Sequence, residues 1–353
     1  VCLNSRDCGV HGLSLDANLS QIQWQVTRQQ TFLGGGTTML YQVLADEALP
    51  NEIMAMLAED CQVSVCPADP DSLKPLLDQA VGLFTYGHLR VDSDLMDRMP
   101  WLRVISNFGV GVDHIDLGGA RQRGIPVGNT PAILDGATAD MTFALLLAAA
   151  RNIVVGDHYA RSDAFTHYDP SLLLGQEVHG ATLGIVGMGN IGRQVARRAR
   201  GFDMKVLYHN RRRDRQAEAE LGTTYATLPD LLSQADYVTL NVPLTTETRG
   251  LIGAEQLALM KPTAMLINAA RGGVVDHEAL VAALAQGWIA GAALDVTEPE
   301  PLPRTHPLLK LNNLIIVPHL GSATHQTRWK MAELSIANLL AGLQDDGLPS
   351  RVA

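Results

Sequence analysis

The chain has 353 residues, 46% hydrophobic and 18% charged, with a formal net charge of −10. That is apolar material for about two domains, each with its own core. The acidic balance argues against nucleic acid as the main partner, because phosphate neutralisation needs clustered lysine and arginine.

The first 38 residues show no sustained hydrophobic period and include the flexible "GGGTT" at residues 34–38, so they read as an extension of uncertain status. A regular pattern begins at Met39. "LYQVLA" reads as a buried strand, and an amphipathic segment over residues 51–58 follows Pro50. The apolar runs "QVSVC", "GLFTY", "LRVISNF" and "IPVGN" come next as strands, with helical stretches between them. "MTFALLLAAA", residues 141–150, is about half the length of a bilayer-spanning segment and reads as part of a buried helix over residues 137–151. No basic-then-apolar leader opens the sequence, and a soluble cytoplasmic protein is the expectation. Cys2, Cys8, Cys61 and Cys66 form no CxxC pair and have no histidine at zinc-finger spacing, so they read as reduced thiols with no metal.

A polar connection over residues 156–170 separates this series from a second: "ATLGIVG", "MKVLYHN", "YVTLNVP", "AMLINAA", "IAGAALDV" and "LIIVPHL". A final helix spans residues 324–343. Strands alternating with helices of about ten to fifteen residues mean βαβ units and parallel sheets. The fold class expected is α/β, with two doubly wound parallel-sheet domains of Rossmann or flavodoxin type and a cleft between them.

The second series opens on "GIVGMGNIG", where Gly187, Gly189 and Gly192 fit GxGxxG. The first glycine allows the tight turn, the second admits a pyrophosphate to the backbone, and the third lets helix pack on strand. The motif is weak alone, but here an apolar strand precedes it and a helical stretch follows. About twenty residues further on, an Asp or Glu would grip the adenosine ribose of NAD. That place holds Asn210, followed by Arg211, Arg212 and Arg213. Removing the carboxylate and adding arginine suits a 2′-phosphate, so NADP is favoured over NAD, with Arg211 and Arg212 as contacts and Arg213 turned outward. The competing reading is a solvated helix start, since "RRRDRQAEAE" alternates charge. Against it, arginines at a helix N-terminus oppose the helix dipole.

Three later strand ends carry polar residues where open α/β sheets bind ligands: "NAARGGVVD" with Arg271, "LDVTEPEPLP" with Asp295, Glu298 and Glu300, and "VPHLGSAT" with His319. An arginine, a carboxylate and a histidine beside a nicotinamide make a carbonyl-reduction site. The arginine grips a substrate carboxylate, and a protonated histidine delivers a proton to the oxygen as hydride reaches carbon. The carboxylate orients the imidazole and favours its protonated form. Singly, each has an ordinary explanation as a surface, loop or turn residue; it is their joint placement that speaks for a site.

Here the sequence resembles the D-isomer-specific 2-hydroxyacid dehydrogenases. "FGVGVDHIDL", "GNTPAILDGATAD", "GIVGMGNIG", "NAARGGVVD", "GAALDVTEPEP" and "PHLGSAT" occur in that family's order. Within it, "EPEPLPRTHPLLKLNNLIIVPHLGSATHQTR" is most similar to glyoxylate/hydroxypyruvate reductases. The resemblance implies Arg271 as substrate anchor, Glu300 as partner of the acid/base, His319 as that acid/base, and the backbone N–H groups of Val110 and Gly111 as the carboxylate cradle. Glu298 matches no catalytic position. Cofactor contacts implied are Thr138, Gly189, Asn190, Ile191, Pro243, Ala269, Asp295, His319 and Gly321, beside the glycine turn and the arginines. NADPH is the implied cofactor, and a homodimer through the cofactor domain the implied assembly, with no nucleic-acid or membrane partner. The implied domains are residues 39–151 plus 324–353 for substrate and 152–323 for NADP. Asp140 and Asn241 depart from the family's usual Glu and His. Larger 2-keto acids such as 2-ketogluconate, a dinucleotide-sensing corepressor and, more weakly, an S-adenosylmethionine-dependent methyltransferase are the rival readings. "FTYGHL", residues 84–89, is expected to line the pocket that decides the substrate.

Overall fold

The computed structural model describes residues 40–353; the expected extension over residues 1–38, with Cys2 and Cys8, lies outside them. Five short strands come first: β1 (Tyr41–Ala45), β2 (Cys61–Val65), β3 (Gly82–Thr85), β4 (Val104–Asn107) and β5 (Val127–Gly128). Between them run α1 (Asn51–Leu57), α2 (Pro70–Leu77), α3 (Ser93–Asp97) and α4 (Leu117–Gln122). All pair in parallel, in the order β2-β1-β3-β4-β5. Two helices follow, α5 (Asp135–Ala150) and α6 (Ile153–Ala160).

The second sheet holds seven parallel strands: β6 (Thr182–Val186), β7 (Lys205–His209), β8 (Thr224–Tyr225), β9 (Tyr237–Leu240), β10 (Met265–Asn268), β11 (Gly291–Leu294) and β12 (Leu314–Ile316). Their order is β12-β11-β10-β9-β6-β7-β8. Helices α7 (Asn190–Ala199), α8 (Arg215–Leu221), α9 (Leu228–Gln234), α10 (Ala254–Leu259) and α11 (His277–Ala285) cross between them, and α12 (His325–Leu343) ends the series. Two doubly wound parallel sheets are therefore the architecture. Helices cover both faces, which is why β3, β4, β9, β10 and β11 are buried along their whole length and read as mostly apolar runs rather than alternating ones.

Helix α12 returns to the first sheet. It buries Ile336, Leu339 and Leu343 in one core with Val43, Phe84 and Val104. The Ser106 hydroxyl donates to the Ser335 carbonyl at 2.6 Å, and Asn338 Nδ2 donates to the Asn129 carbonyl at 3.0 Å. Helix α5 goes the other way. Although it precedes the polar connection, it packs Ala139, Phe143, Leu145, Leu146 and Ala150 into the core of the seven-stranded sheet, beside Ile185, Val195 and Ile267. Its apolar residues surround the helix, so its sequence carried no stripe to say which sheet it would join. Asp140, on its exposed side, is bound by Arg198 Nε of α7 at 2.7 Å. The start of the expected polar connection is itself helical, as α6. Among the described residues no single helix is long and apolar enough to cross a membrane. Cys61 and Cys66 are free thiols, pushed up to about 12 and about 11, chiefly by burial.

Each sheet has a point where strand order reverses, between β1 and β3 in the first and between β6 and β9 in the second. Ligands of open α/β sheets bind outside the carboxyl ends at such points.

Candidate active site

A cavity of about 840 Å³ lies between loops from the two sheets. From the first sheet it takes the turn after β3 (Tyr86 and His88) and residues 108–113 after β4; from the second, residues 189–191, 241–245 and 269–271. Arg271, Glu300 and His319 all line it, as do Val110 and Gly111.

The loop after β4 is built as an anion cradle. Buried Asn107 donates through Nδ2 to the carbonyls of Gly109 (2.9 Å) and Gly111 (3.0 Å), while Thr85 donates to its Oδ1 at 2.8 Å. Asn129 Nδ2 takes the Val110 carbonyl at 2.9 Å. The three carbonyls are drawn back by these amides. Among the described residues, the N–H groups of Val110 and Gly111 donate to no protein acceptor. Oriented, unspent N–H groups at a cavity wall favour a carboxylate.

Arg271 stands beside this cradle. Its Nε donates to Asp113 Oδ1 at 2.8 Å and its Nη1 to the Ala270 carbonyl at 2.9 Å. Burial pushes the Asp113 carboxyl up, but the Arg271 charge and hydrogen bond outweigh it and hold the group below its ordinary range. A Cβ on Gly111 would lie 1.6 Å from Arg271 Nη2. Glycine at that position is a condition of the arginine's placement.

His319 follows β12, with Nδ1 2.9 Å from Glu300 Oε1. This pairing leaves Nε2 for a ligand. Burial raises the Glu300 carboxyl, and the bond and charge of His319 more than offset it, so the group stays ionised below the usual range. Asp295 works beneath the histidine. Its two oxygens accept the N–H groups of Leu320 (2.5 Å) and Gly321 (2.7 Å), and its carbonyl accepts that of His319 (2.9 Å). Burial holds its carboxyl above the ordinary range in spite of those bonds.

The cofactor side is set by the glycine turn. Gly187 has φ 101°, and a Cβ there would meet the Asn241 carbonyl oxygen at 2.6 Å. A Cβ on Gly192 would meet the Gly187 carbonyl oxygen at 2.1 Å, the close helix–strand approach the third glycine permits. Gly189, by contrast, faces open space on the cavity wall at the N-cap of α7, whose first N–H groups have no capping side chain. That shape fits a dinucleotide pyrophosphate. Thr138, Asn190, Ile191, Pro243, Ala269, Asp295 and Gly321 complete that wall. Gly187, Gly192, Asn210, Arg211 and Arg212 lie off it. Asn210 turns its Oδ1 back to accept the Met188 N–H at 2.7 Å. Arg213 is bound to Glu218 through two bonds of 2.7 and 2.8 Å. Arg211 and Arg212 are exposed and make no ion pair among the described residues. Glu298 likewise stays outside the site, paired with Arg249 at 2.7 Å.

The profile of the D-isomer-specific 2-hydroxyacid dehydrogenase NAD-binding domain matches residues 143–321. The glyoxylate reductase of Pyrococcus furiosus is 46% identical over 308 residues, covering 85% of this chain and 91% of that protein. This chain belongs to the D-isomer-specific 2-hydroxyacid dehydrogenases. Another relative of the family, the glyoxylate reductase of Korarchaeum cryptofilum, is 51% identical over 71% of this chain and 76% of its own length. A crystal structure from Thermus thermophilus superposes with a TM-score of 0.81 at 46% identity, over 88% of this dehydrogenase and 99% of that chain. The NADPH-dependent glyoxylate/hydroxypyruvate reductase of Sinorhizobium meliloti, solved with NADP and malonate, gives a TM-score of 0.81 at 32% identity, over 89% and 97%.

Tyr86 and His88, of the "FTYGHL" segment expected to line the substrate pocket, do line the cavity, whereas two charged cavity residues, Asp113 and Arg328, carried no assigned role in the sequence. Asp113 sits inside the quoted "FGVGVDHIDL", and a carboxylate two residues beyond a glycine cradle was the available signal. Arg328 of α12 lies over the Phe108 ring at 5.7 Å, with no carboxylate partner among the described residues. Its signal was only the "TR" ending the last motif.

Proposed function

We propose that this dehydrogenase uses NADPH to reduce small 2-keto acids, glyoxylate and hydroxypyruvate, to glycolate and D-glycerate. The observation that carries the reading is the His319–Glu300 pair at 2.9 Å in one cavity with Arg271 and the free N–H groups of Val110 and Gly111. Those two amides and the Arg271 guanidinium receive the substrate carboxylate. Arg271 also polarises the adjacent carbonyl. When bound, the nicotinamide supplies the hydride to the keto carbon. His319 gives the Nε2 proton to the carbonyl oxygen, and Glu300 stabilises the imidazolium before that transfer. Closure of the cleft excludes water from the charged groups.

The preference for NADPH rests on Arg211 and Arg212, uncommitted at the strand end where a carboxylate would repel a 2′-phosphate. The archaeal relatives' names agree with glyoxylate as substrate, and the rhizobial enzyme's name with both keto acids and NADPH. The test is kcat/KM for glyoxylate and hydroxypyruvate with NADPH and with NADH. Turnover favouring NADPH is expected; turnover favouring NADH would assign the arginines to a solvated surface, and tight cofactor binding without turnover on either acid would sink the substrate assignment.

The same reading includes a homodimer. Eight exposed large apolar side chains fall within residues 153–174, among them Ile153, Phe165, Tyr168 and Leu174, the last two 80% and 75% exposed. A patch of that kind on one stretch of surface is an association site, and a second copy of this chain is the occupant the family resemblance implies. Sedimentation of the wild type and of Leu174→Asp distinguishes a dimer that dissociates from a monomer in both cases.

A further inference from the structure

Two histidines of the cleft occupy left-handed backbone positions, His88 at φ 67° and His319 at φ 56°. Non-glycine residues seldom adopt that region unless their surroundings impose it, and such positions cluster at functional sites. Both are imposed here in the same manner, by an aspartate whose carboxylate gathers successive backbone N–H groups. Asp295 does this beneath His319, as described. Asp46, at the end of β1, accepts the N–H groups of Tyr86 (2.5 Å) and Gly87 (3.0 Å) on Oδ1 and that of Leu89 (2.9 Å) on Oδ2. His88 thereby projects from the reversal point of the first sheet across the cleft.

The two rings meet. The His88 and His319 imidazoles are stacked, with centroids 5.5 Å apart and planes 17° from parallel. His88 also makes a T-shaped contact with His114, at 5.1 Å and 80°. No ring nitrogen of His88 has a hydrogen-bond partner among the described residues, and His114 Nε2 is buried without one. Burial, then the neighbouring His88, pushes His114 down to about 4. Burial, then the charges of Arg271 and His319, also holds His88 below its ordinary value. The face turned to His319 is therefore that of a neutral ring at neutral pH.

We propose that His88 is a positioning residue for the proton transfer: its ring, stacked alongside His319 with the two planes 17° apart, fixes the plane in which His319 presents Nε2. The inference rests on the reading of His319 as proton donor. The other charged groups facing His319 are Glu300 and Asp295 from the loops of the second sheet, and Arg271 with its partner Asp113 across the cleft. Glu300 holds the imidazole at its edge; His88 is the contact on its face, so the two restrain different rotations.

The experiment compares His88→Phe, which keeps an aromatic face, with His88→Asn and His88→Leu, which remove it. Asn tolerates the left-handed backbone, so a folding defect confined to Leu leaves the comparison intact. Each variant is assayed for kcat and KM across the pH profile of glyoxylate reduction at saturating NADPH, with cofactor affinity measured by nicotinamide fluorescence. The expected result is Phe within about threefold of wild-type kcat, and Asn and Leu about tenfold lower in kcat, with KM for the keto acid and cofactor affinity unchanged. Wild-type kcat in all three would reduce His88 to space filling and overturn the proposal. Equal losses in all three would overturn it as well, since the ring nitrogens would then be what matters. His319→Gln, run alongside, separates the two levels: if it keeps full activity, the proton-donor reading itself fails, whatever His88 does.

Discussion

The corner around Arg271 and the pair Arg211 and Arg212 both carry guanidinium groups, and the protein treats them in opposite ways. Arg271 is partly buried and tied by Asp113 and the Ala270 carbonyl, and Gly111 leaves room for its outer nitrogen. Arg211 and Arg212 stand exposed without an ion pair among the described residues. A tied arginine has lost its rotamer freedom during folding and presents one geometry, which suits a group that must hold a reacting carbonyl within a few tenths of an ångström. An untied arginine orders itself on the ligand, which suits recognition of a phosphate far from the chemistry.

The largest effects belong to the tied corner. His319→Gln is expected to lower kcat about a thousandfold, within the range for a lost general acid, and Arg271→Ala to lower kcat/KM for the keto acid about as much. Cofactor affinity in both variants should stay near wild type, as measured by nicotinamide fluorescence; a matching loss of cofactor binding would erase the distinction between the two arginine regions. Gly111→Ala tests the tie without touching a charge. Its Cβ cannot coexist with Arg271 Nη2 where that atom now lies, so about a hundredfold loss in kcat/KM is expected from displacement alone.

Next in size is the pair Arg211→Ser with Arg212→Ser. It should lower kcat/KM with NADPH about thirtyfold and leave NADH within about threefold. Ionic strength sharpens the contrast. Exposed charges are screened within about 8 Å at physiological salt, so KM for NADPH should climb with added salt more steeply than KM for the keto acid. Parallel slopes would mean that the two regions do not differ in the way their contacts suggest.

Most of the parallel architecture was legible because buried strands between helices are predominantly apolar, with their few polar residues toward the carboxyl ends. What escaped did so for identifiable reasons. Strand β8 is two residues long, Thr224–Tyr225, at the sheet edge, too short for any pattern. Helix α6 carries exposed Ile153, Val154 and Val155, and its later residues His158 and Tyr159 blended with the polar connection. Helix α5 spreads its apolar residues around its axis without a stripe, and only tertiary packing chose its sheet. Within the site, Arg271 and His319 were visible because each lies just past the end of a strand, and Glu300 because it sits in the loop after β11 within a motif of the family. Asp113 and Asp46 were not, because a carboxylate shows its role only through its partner. Those partners are 158 residues away for Asp113 and about forty residues away for Asp46. The stacking of His88 on His319 joins loops of two different sheets, and no local signal predicts it.

The smallest expected effect tests the comparison most finely, because it lies inside a single run of three identical residues. Arg213 neighbours Arg211 and Arg212 in sequence but behaves like a tied arginine. Glu218 accepts two bonds from it and a third, at 2.8 Å, from the Tyr208 hydroxyl. Those bonds, the one from Arg213 foremost, lower the Glu218 carboxyl to about 2. It is therefore ionised, and holds Arg213, throughout any practical assay. Arg213→Ala is accordingly expected to change the NADPH-to-NADH ratio of kcat/KM by less than about twofold. Glu218→Gln removes the tie and keeps the arginine. If commitment rather than position is what keeps Arg213 out of cofactor recognition, this variant should raise the NADPH preference by a small factor and make it more sensitive to salt. A loss of NADPH preference in Arg213→Ala as large as that of the Arg211 and Arg212 pair would instead make all three arginines one cationic patch, and the division between tied and untied groups would not hold in this stretch.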